Sequence, residues 1–374
     1  MQAILRNILS AFRLGIIDWY IIKKYLSTFF FTALLFTLIA VTIDFSDKVE
    51  DFIEEPVTKW QIIKEYYGGF IPHINGLLWP LYALIAVIFF TSRLAFNSEI
   101  IAIFGAGVSF RRLMRPYIVS ASVLMLIHLF SSHILIPYGN KSRLNFEYKY
   151  VYKHSDKGKK NDMHMFISPD TKVYVKYYSK TDSIARDFRL ETIKNNRLVY
   201  YLKAEEAKWV DSTQKWRLKD YEIHTFDGVK ESLQVVHDVP KDTAIALRPD
   251  DFVRYNNQKE MLTTPELLRN IAIEQQRGLA NSKVYSIEIH RRTADVFTIL
   301  ILTLIGMAVA ARKVRGGMGL HLAIGISLGA LFIFMSKVSI TFAISNSIPP
   351  LLGVWIPNIV FAIIAYWLAS RAQQ

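Results

Sequence analysis

The chain has 374 residues, of which 52% are hydrophobic and 21% are charged. Its length exceeds that of one typical domain, and this mixture of apolar and charged residues excludes both a uniformly apolar membrane bundle and an ordinary soluble enzyme. The absence of cysteine excludes disulfide scaffolds, thiolate metal sites and cysteine nucleophiles. A net charge of +13 is compatible with nucleic acid binding, but basic residues beside membrane spans produce the same excess.

Six apolar stretches approach the length of about 20 residues that crosses the hydrocarbon core of a bilayer. The basic leader lacks a small-residue cleavage site and runs into the first stretch, so we interpret that stretch as a retained span. The predicted spans are Leu26–Ile43, Phe70–Phe90, Tyr117–Pro137, Val296–Ala311, Leu320–Ile340 and Leu351–Leu368. The fourth span is the shortest, and it can borrow length from Tyr285–Ile289 upstream.

Lysine and arginine are unevenly distributed among the short connections. The leader and the connections after spans two and four are basic, whereas the connection between spans one and two is acidic. The basic residues are Arg6, Arg13, Lys23, Lys24, Arg93, Arg111, Arg112, Arg115, Arg312, Lys313 and Arg315. We interpret the chain as an inner-membrane protein, and by the positive-inside rule both termini are expected in the cytoplasm and the long insert after span three on the outer side.

The connection after span two contains the pattern of a short helix over Ser98–Gly107. Ser98 can serve as its N-cap, and the following apolar residues form one stripe. Such a helix suits the groove of a partner ATPase, and it equally suits an interfacial helix that lies on lipid. The residues of this predicted coupling helix are Ser98, Glu99, Ile100, Ile103, Phe104 and Gly105.

The insert, from Tyr138 to about Arg292, changes to short segments in which apolar and polar side chains alternate. Examples are Lys172–Tyr178, Arg197–Ala204, Glu206–Val210 and Lys215–Asp220, with turn sequences at Pro169-Asp170, Asn195-Asn196 and Asp227-Gly228. This pattern predicts an antiparallel sandwich, jelly roll or open barrel. After Pro265 the pattern is helical: Thr263 or Thr264 can cap a helix over Glu266–Gly278 that leads back to the membrane.

Motifs for catalysis are absent from the sequence. There is no phosphate-binding loop, no zinc-protease helix motif and no nucleophile elbow, and the nine histidines are scattered. A lone intramembrane histidine such as His128 is expected to be a packed residue rather than a metal ligand. We therefore expect no cofactor, no metal and no catalysis in this chain, and energy for any transport has to come from a partner or a gradient.

Two charged residues, Asp44 and Lys337, lie within or at the edge of apolar spans. Intramembrane ionisable groups are costly, and they tend to face a cavity or a partner. Both fall near the outer boundary of the membrane, so the two side chains could pair. The alternative is that each one reaches the outer interface by itself.

A set of basic residues on the outer side runs against the positive-inside trend. These outer basic residues are Lys48, Lys141, Arg143, Arg291 and Arg292. They are expected to converge on the outer mouth of the bundle, where Arg and Lys would bind the phosphates of an anionic lipid. The other interpretation is a solvated charged face.

Several short motifs, spread in order along the whole chain, resemble the LptF/LptG (YjgP/YjgQ) family of lipopolysaccharide-export permeases. No single motif is specific, but the ordered set is. The motifs are Asp18-Trp19-Tyr20-Ile21, Ser98-Glu99-Ile100-Ile101-Ala102, Gly105-Ala106-Gly107, Ile136-Pro137-Tyr138-Gly139-Asn140, Gly325-Ile326-Ser327-Leu328-Gly329, Ile348-Pro349-Pro350-Leu351 and Trp355-Ile356-Pro357-Asn358. The basic leader and the carboxyl-terminal motifs look nearer to LptG than to LptF.

The resemblance implies six transmembrane helices in a 3+3 arrangement around a periplasmic antiparallel β-jellyroll. The expected boundaries are 1–137 for the leader and spans one to three, 138–265 for the jellyroll, 266–292 for a helical return, and 293–374 for spans four to six. It also implies a subunit of an ATP-driven lipopolysaccharide exporter that passes its substrate toward the outer membrane. The implied partners are the paralogous LptF or LptG subunit, a dimer of the ATPase LptB, and periplasmic LptC.

In this family, basic residues near the outer end of span one and at the start of the jellyroll contact lipid A, and Lys48, Lys141 and Arg143 occupy roughly those places. The helix around Glu99 would be the coupling helix. The alternatives are a permease for another lipid and a scaffold that binds a periplasmic ligand without moving it. A sensor is disfavoured because the tails leave no room for an output domain.

Overall fold

The computed structural model describes residues 14–151, 161–179, 182–252, 258–277, 282–311, 317–345 and 347–371. It divides into two compact units, one of Met1–Phe146 with Ser286–Gln374 and one of Glu147–Tyr285. Some residues used in the sequence predictions lie outside the described part: Arg6, Arg13, Gly278, Arg312, Lys313 and Arg315.

The first unit begins with four helices. Helices α1 (Ile16–Glu54), α2 (Lys59–Phe96) and α4 (Phe110–Val151) are long and apolar enough to cross a membrane, and α3 (Glu99–Gly105) is a short helix between α2 and α4. A π-helical segment at Ile62–Tyr67 interrupts α2. Such segments are rare and occur frequently at functional sites, and this one contains Tyr66.

Helix α4 continues past residue 138, where the sequence analysis placed the start of the β domain. That boundary is wrong because the residues after Pro137 keep a helical period. Asn140, Arg143, Leu144 and Glu147 are buried, which is the spacing of one helix face.

The second unit is an antiparallel sheet. Its strands are β1 (Asn161–Ser168), β2 (Thr171–Ser179), β3 (Ile184–Lys194), β4 (Arg197–Val210), β5 (Lys215–Asp227), β6 (Lys230–Val236) and β7 (Lys241–Thr243). Strands β1 to β6 pair in consecutive order, each antiparallel to the next, and β7 pairs with β5. The predicted antiparallel insert is confirmed, and its consecutive pairing makes it an open meander.

The predicted turn sequences lie between strands. Pro169-Asp170 joins β1 to β2, Asn195-Asn196 joins β3 to β4, and Asp227-Gly228 lies at the end of β5. Asn195 has a φ of 50° and Asn196 a φ of 59°. Left-handed conformations at both central residues are those of a type I′ turn, which suits the twist of a hairpin and favours asparagine.

One face of the sheet carries the core of the second unit. Along β2, Val173 and Val175 are buried while Lys176 between the strand's apolar residues is exposed, as the period of two requires. The core of the sheet comprises Val173, Val175, Tyr178, Phe188, Leu202, Ala204, Trp216, Leu218 and Tyr221, which pack with Leu247 and Phe252.

Three helices follow the sheet: α5 (Pro249–Phe252), α6 (Gln258–Met261) and α7 (Thr264–Gln276). The predicted cap of α7 is confirmed, because the Glu266 carboxylate accepts hydrogen bonds from the backbone N–H of Thr263 at 2.7 Å and from its hydroxyl at 2.8 Å. This arrangement is a capping box, which stabilises the first turn.

The chain returns to the helical unit through α8 (Ser282–Ala310), α9 (Gly317–Ile344) and α10 (Pro350–Arg371). With α1, α2 and α4 they give six candidate membrane spans among the described residues, as predicted. Helix α8 includes Tyr285–Ile289, so the fourth span does extend upstream of Val296.

Small residues bring α8 and α9 against α2. A Cβ atom added at Gly306 would overlap the Val87 side chain, one at Gly325 would overlap Ile88, and one at Gly329 would lie 3.0 Å from Leu81 Cδ1. Close helix contact at small residues is the usual way in which membrane helices associate. The spacing of Gly325 and Gly329 is therefore explained by packing on α2.

Buried hydrogen bonds join α8 to α1 and to α10. Tyr25 of α1 and Thr303 of α8 are 2.6 Å apart at their hydroxyls. Asn358 of α10 donates to the Ala294 carbonyl at 2.8 Å and accepts from the Thr298 hydroxyl at 2.9 Å. Such bonds between membrane helices contribute on average about 0.6 kcal/mol each, so they add modestly to a bundle that packing holds together.

Candidate functional site

Asp44 lies at the centre of a polar contact between α1 and α2. Its carboxylate accepts a hydrogen bond from Lys48 Nζ at 2.9 Å and bonds from the Tyr66 hydroxyl at 2.8 and 2.9 Å. Lys48 also donates to the Tyr66 hydroxyl, and its ammonium lies 4.7 Å from the centroid of that ring. A lysine, a carboxylate and a phenol thus form one compact cluster.

The suggested pairing of Asp44 with Lys337 is wrong. Lys48 follows Asp44 by one turn of the same helix, and residues at i and i+4 are neighbours on a helix surface. The carboxylate is therefore occupied by Lys48 and Tyr66, and Lys337 is exposed on α9. This exposure suits the alternative that Lys337 reaches an interface by itself.

Aromatic rings surround the Asp44 cluster. Tyr66 lies 5.9 Å from Phe70, 5.5 Å from Phe52 and 5.6 Å from Phe146, measured between ring centroids. These rings belong to α1, α2 and α4, so the cluster closes one end of a three-helix contact. Because aromatic packing excludes water, the charge interaction between Asp44 and Lys48 is stronger than at an open surface.

A second charged cluster lies at the start of α8. Glu288 is buried, and its carboxylate accepts hydrogen bonds from Arg291 Nη2 at 3.0 Å and from Arg292 Nε at 3.1 Å. Arg292 is buried as well. A buried carboxylate needs such partners to offset the cost of leaving water.

His73 of α2 makes a polar contact with α4. The amide nitrogen of Asn140 lies 3.0 Å from His73 Nδ1. Arg143 is itself buried. His73 and Asn140 thus join α2 to α4 one turn before the buried Arg143.

The outer basic residues therefore differ in their surroundings. Lys48, Arg291 and Arg292 have carboxylate partners within the chain, Arg143 is buried, and Lys141 is exposed. His128, expected to be a packed residue, is buried with its ring 5.4 Å from that of Trp79.

Sequence reasoning missed three residues of these clusters: Tyr66, His73 and Glu288. For Glu288 a signal existed, since the acid precedes Arg291 and Arg292 by three and four positions and so shares their helix face. Tyr66 and His73 gave no local signal, because their partners lie on other helices.

The short helix α3 has one buried and one exposed side. Ile100 is buried, and Ile103 and Phe104 pack partly against the core of the bundle, while Ile101 is 52% exposed. Ser98 occupies the N-cap position, but its φ is 62° and its side chain makes no capping hydrogen bond. Of the four apolar residues that were predicted to form one stripe, three face the bundle and Ile101 faces outward.

Hydrogen bonds and an ion pair hold the segments beside α3. The Tyr20 hydroxyl donates to Glu99 Oε2 at 3.0 Å. Nearby in sequence, the guanidinium of Arg112 donates to both carboxylate oxygens of Asp18, at 2.7 and 2.5 Å. The motif residues Asp18 and Glu99 thus tie the start of α1 to both ends of the connection that contains α3.

Comparisons with known proteins agree with this architecture. Residues 19–371 match the family described as "Lipopolysaccharide export system permease LptF/LptG". The chain is also similar to the lipopolysaccharide export system permease protein LptG of Haemophilus influenzae (strain ATCC 51907 / DSM 11121 / KW20 / Rd), with 20% identity over 369 residues that cover 96% of this chain and 99% of that protein. The chain belongs to the LptF/LptG family of lipopolysaccharide export permeases.

Proposed function

We propose that this chain is the transmembrane permease subunit of an ATP-driven lipopolysaccharide exporter of the inner membrane. It extracts lipopolysaccharide from that membrane and passes it through the inserted domain toward the outer membrane. The observation that carries the proposal is the family match over residues 19–371, on a fold that combines six candidate spans with an inserted antiparallel sheet.

In this proposal both termini are cytoplasmic and the inserted domain is periplasmic. Support comes from charge: the ends of α2 and α4 that flank α3 carry Arg93, Arg111, Arg112 and Arg115, whereas the segment between spans one and two is acidic. Spans one to three precede the inserted domain, and the return through α7 leads to spans four to six.

The energy for transport comes from ATP hydrolysis by a separate ATPase, a dimer of LptB. This ATPase binds α3 as a coupling helix. Ser98, Glu99, Ile100, Ile103, Phe104 and Gly105 belong to this segment, and the exposed Ile101 would be its anchor in the groove of the ATPase. The buried Ile100 and the hydrogen bond from Tyr20 to Glu99 fix α3 to the bundle. A displacement of α3 would therefore be transmitted to α1 and α4.

Pairing with the paralogous subunit would enclose the lipid. Of the most apolar 18-residue stretch of α1, only 11% is buried within this chain, whereas 61% of the corresponding stretch of α8 is buried. Phe31, Leu34 and Leu38 are exposed on α1, and such a surface suits contact with lipid or with a second subunit. LptC is the periplasmic partner expected to receive the substrate from the sheet.

The outer basic residues would bind the phosphates of lipid A. Support comes from the guanidinium groups of Arg143 on α4 and of Arg291 on α8, and Lys141, two residues before Arg143, adds an exposed ammonium. Lys48 would contribute by exchanging its bond with Asp44 for one with a phosphate.

Replacing Lys141 with glutamate should lower the lipopolysaccharide that copurifies with the assembled transporter about tenfold. A charge-assisted hydrogen bond contributes about 1.5–3 kcal/mol, and about 1.4 kcal/mol corresponds to a factor of ten. Lys141 is preferable to Lys48, since a glutamate at position 48 would also repel Asp44 within the fold. The measurement is the amount of bound lipopolysaccharide per transporter.

The matched control is Lys59→Glu, at another exposed lysine at the start of α2. This variant should retain its lipopolysaccharide. Normal loading in Lys141→Glu would mean that this lysine only solvates the surface.

A further inference from the structure

The inserted domain contains a cavity of about 760 Å³ between one end of the sheet, the loop before α5, and helix α7. Cavities that hold small molecules have volumes of about 300–1,000 Å³ and combine apolar walls with a few polar groups. This cavity adjoins the core of the sheet, with which it shares Trp209 and Leu247, but most of its lining residues are polar. The polar composition of its lining suits a polar ligand rather than an acyl chain.

Its frame is fixed by hydrogen bonds between the loop before α5, the sheet and the end of α7. The Trp216 indole N–H donates to the Leu247 carbonyl at 2.9 Å, and the Arg277 guanidinium donates to Asp251 Oδ1 at 3.0 Å and to the Ala246 carbonyl at 3.3 Å. The loop before α5 is therefore held to both the sheet and the end of α7. A cavity with such walls is preformed, and binding then needs little reordering.

The charged residues of the lining differ in whether they already have partners within the chain. Asp251 is engaged by Arg277 and by the backbone N–H of Arg248 at 2.8 Å, and Glu266 caps α7. By contrast, the side chains of Arg248 and Arg269 are exposed in the cavity wall, and neither is in an ion pair with a described residue. The third acid of the lining, Glu274, is buried, so the exposed guanidinium groups of Arg248 and Arg269 are the cationic donors that a ligand can reach.

Three arginines and three acids line the cavity, so its formal charges cancel. Long-range electrostatic attraction of an anion is then weak, and selectivity for a ligand has to come from direct contacts with the lining residues. Guanidinium groups bind carboxylate and phosphate in a bidentate geometry, while the amide of Asn270 can bond to hydroxyls. Ile273 and Trp209 supply apolar wall, against which the carbon face of a sugar ring can lie.

We propose that this cavity is a binding site for an anionic saccharide, a sugar that carries a phosphate or a carboxylate. Arg248 and Arg269 bind the anionic group, and Asn270 bonds to ring hydroxyls. The proposal rests on the proposed function only for the source of the ligand, which would be the saccharide part of the transported lipid. The site itself follows from the cavity and its two arginines.

The test uses the full-length protein in lipid nanodiscs and glucose 1-phosphate as the probe, with binding followed by ligand-observed NMR. Saturable binding is expected below about 10 mM, and Arg248→Gln combined with Arg269→Gln should weaken it at least about tenfold, since two charge-assisted contacts are lost. Both arginines are exposed, so the fold should persist, and an unchanged melting temperature checks this. Arg197→Gln, an exposed arginine on β4 outside the cavity, is the matched control and should bind as the unaltered protein does.

Two further probes separate the sources of binding. Neutral glucose should bind far more weakly than the sugar phosphate, and inorganic phosphate should also bind more weakly. Equal binding of inorganic phosphate would overturn the saccharide assignment, and equal binding by the double variant would overturn the site. If no probe binds while lipopolysaccharide still copurifies, the inference fails and the proposed transport function stands.

Discussion

Replacing Ile101 with lysine should uncouple ATP hydrolysis from lipopolysaccharide transport while the permease stays folded. Ile101 is 52% exposed on α3, so the bundle does not depend on it. A charge in the centre of an apolar interface costs at least about 2 kcal/mol, as for other central interface residues, which corresponds to about a 30-fold loss of affinity. The measurement is lipopolysaccharide-stimulated ATP hydrolysis by the reconstituted complex.

The control for this variant is Ile53→Lys, which changes another exposed isoleucine near the far end of α1. In the proposed orientation Ile53 lies on the side of the membrane opposite to the ATPase, so hydrolysis should be normal. Ile101→Lys is also a cleaner test than Glu99→Arg, because Glu99 accepts a hydrogen bond from Tyr20 and its loss would loosen α1. Normal coupling in Ile101→Lys would exclude α3 as the contact with the ATPase.

Replacing Gly69 with alanine should strongly destabilise the crossing of α2 and α4. A Cβ atom there would lie 2.7 Å from the carbonyl carbon of Gly139 and 2.8 Å from Arg143 Cβ. Backbone atoms of a packed helix cannot move aside as a side chain can, so the cost should reach the upper part of the range of about 1–3 kcal/mol for overpacking. The melting temperature of the purified protein should fall by several degrees.

The neighbouring glycine provides a matched control. A Cβ atom at Gly68 would lie 3.7 Å from the Ile63 carbonyl oxygen, an ordinary van der Waals contact. Gly68→Ala should therefore be neutral or slightly stabilising, because alanine lowers the entropy of the unfolded chain. Equal melting temperatures for the two variants would contradict the close crossing at Gly69 and Gly139.

Features with a local cause could be predicted from the sequence. The six spans follow from apolar length alone, and the turn at Asn195-Asn196 follows from the tolerance of asparagine for left-handed backbone. The cap of α7 at Thr263 likewise depends on two residues three positions apart. In each case the determining residues are adjacent or nearly adjacent in the chain.

Features that depend on tertiary contacts could not be predicted in the same way. Nothing near Gly69 in sequence indicates Gly139, and nothing near Asp18 indicates Arg112. The error over Asp44 has another origin. Its partner Lys48 lies one turn away on the same helix. Lys337 was predicted instead, because it was expected at a similar depth in the membrane. The extension of α4 to Val151 was missed because its apolar stripe is sparse and includes the polar residues Asn140, Arg143 and Glu147.

The outer basic residues show where sequence and structure each contribute. Their residue type and place along the chain indicated an anion site, and the site assignment remains a proposal. The structure adds that Arg143 is buried, that Arg291 has Glu288 as a partner, and that Lys48 has Asp44 as a partner. These contacts make Lys141 the residue whose substitution tests lipid binding with the least effect on the fold.

The proposal that this chain passes lipopolysaccharide through its inserted domain is tested most directly by photo-crosslinking at two adjacent positions of β5. Ile223 packs against the core face of the sheet, and Glu222 lies on the opposite face, because side chains alternate along a strand. A photoreactive residue at position 223 should capture lipopolysaccharide in cells with an active ATPase and lose that capture when hydrolysis is blocked, while position 222 should capture little in either state. Equal capture at both positions, or capture at position 223 that is independent of ATP hydrolysis, would contradict transport along the core face of the sheet.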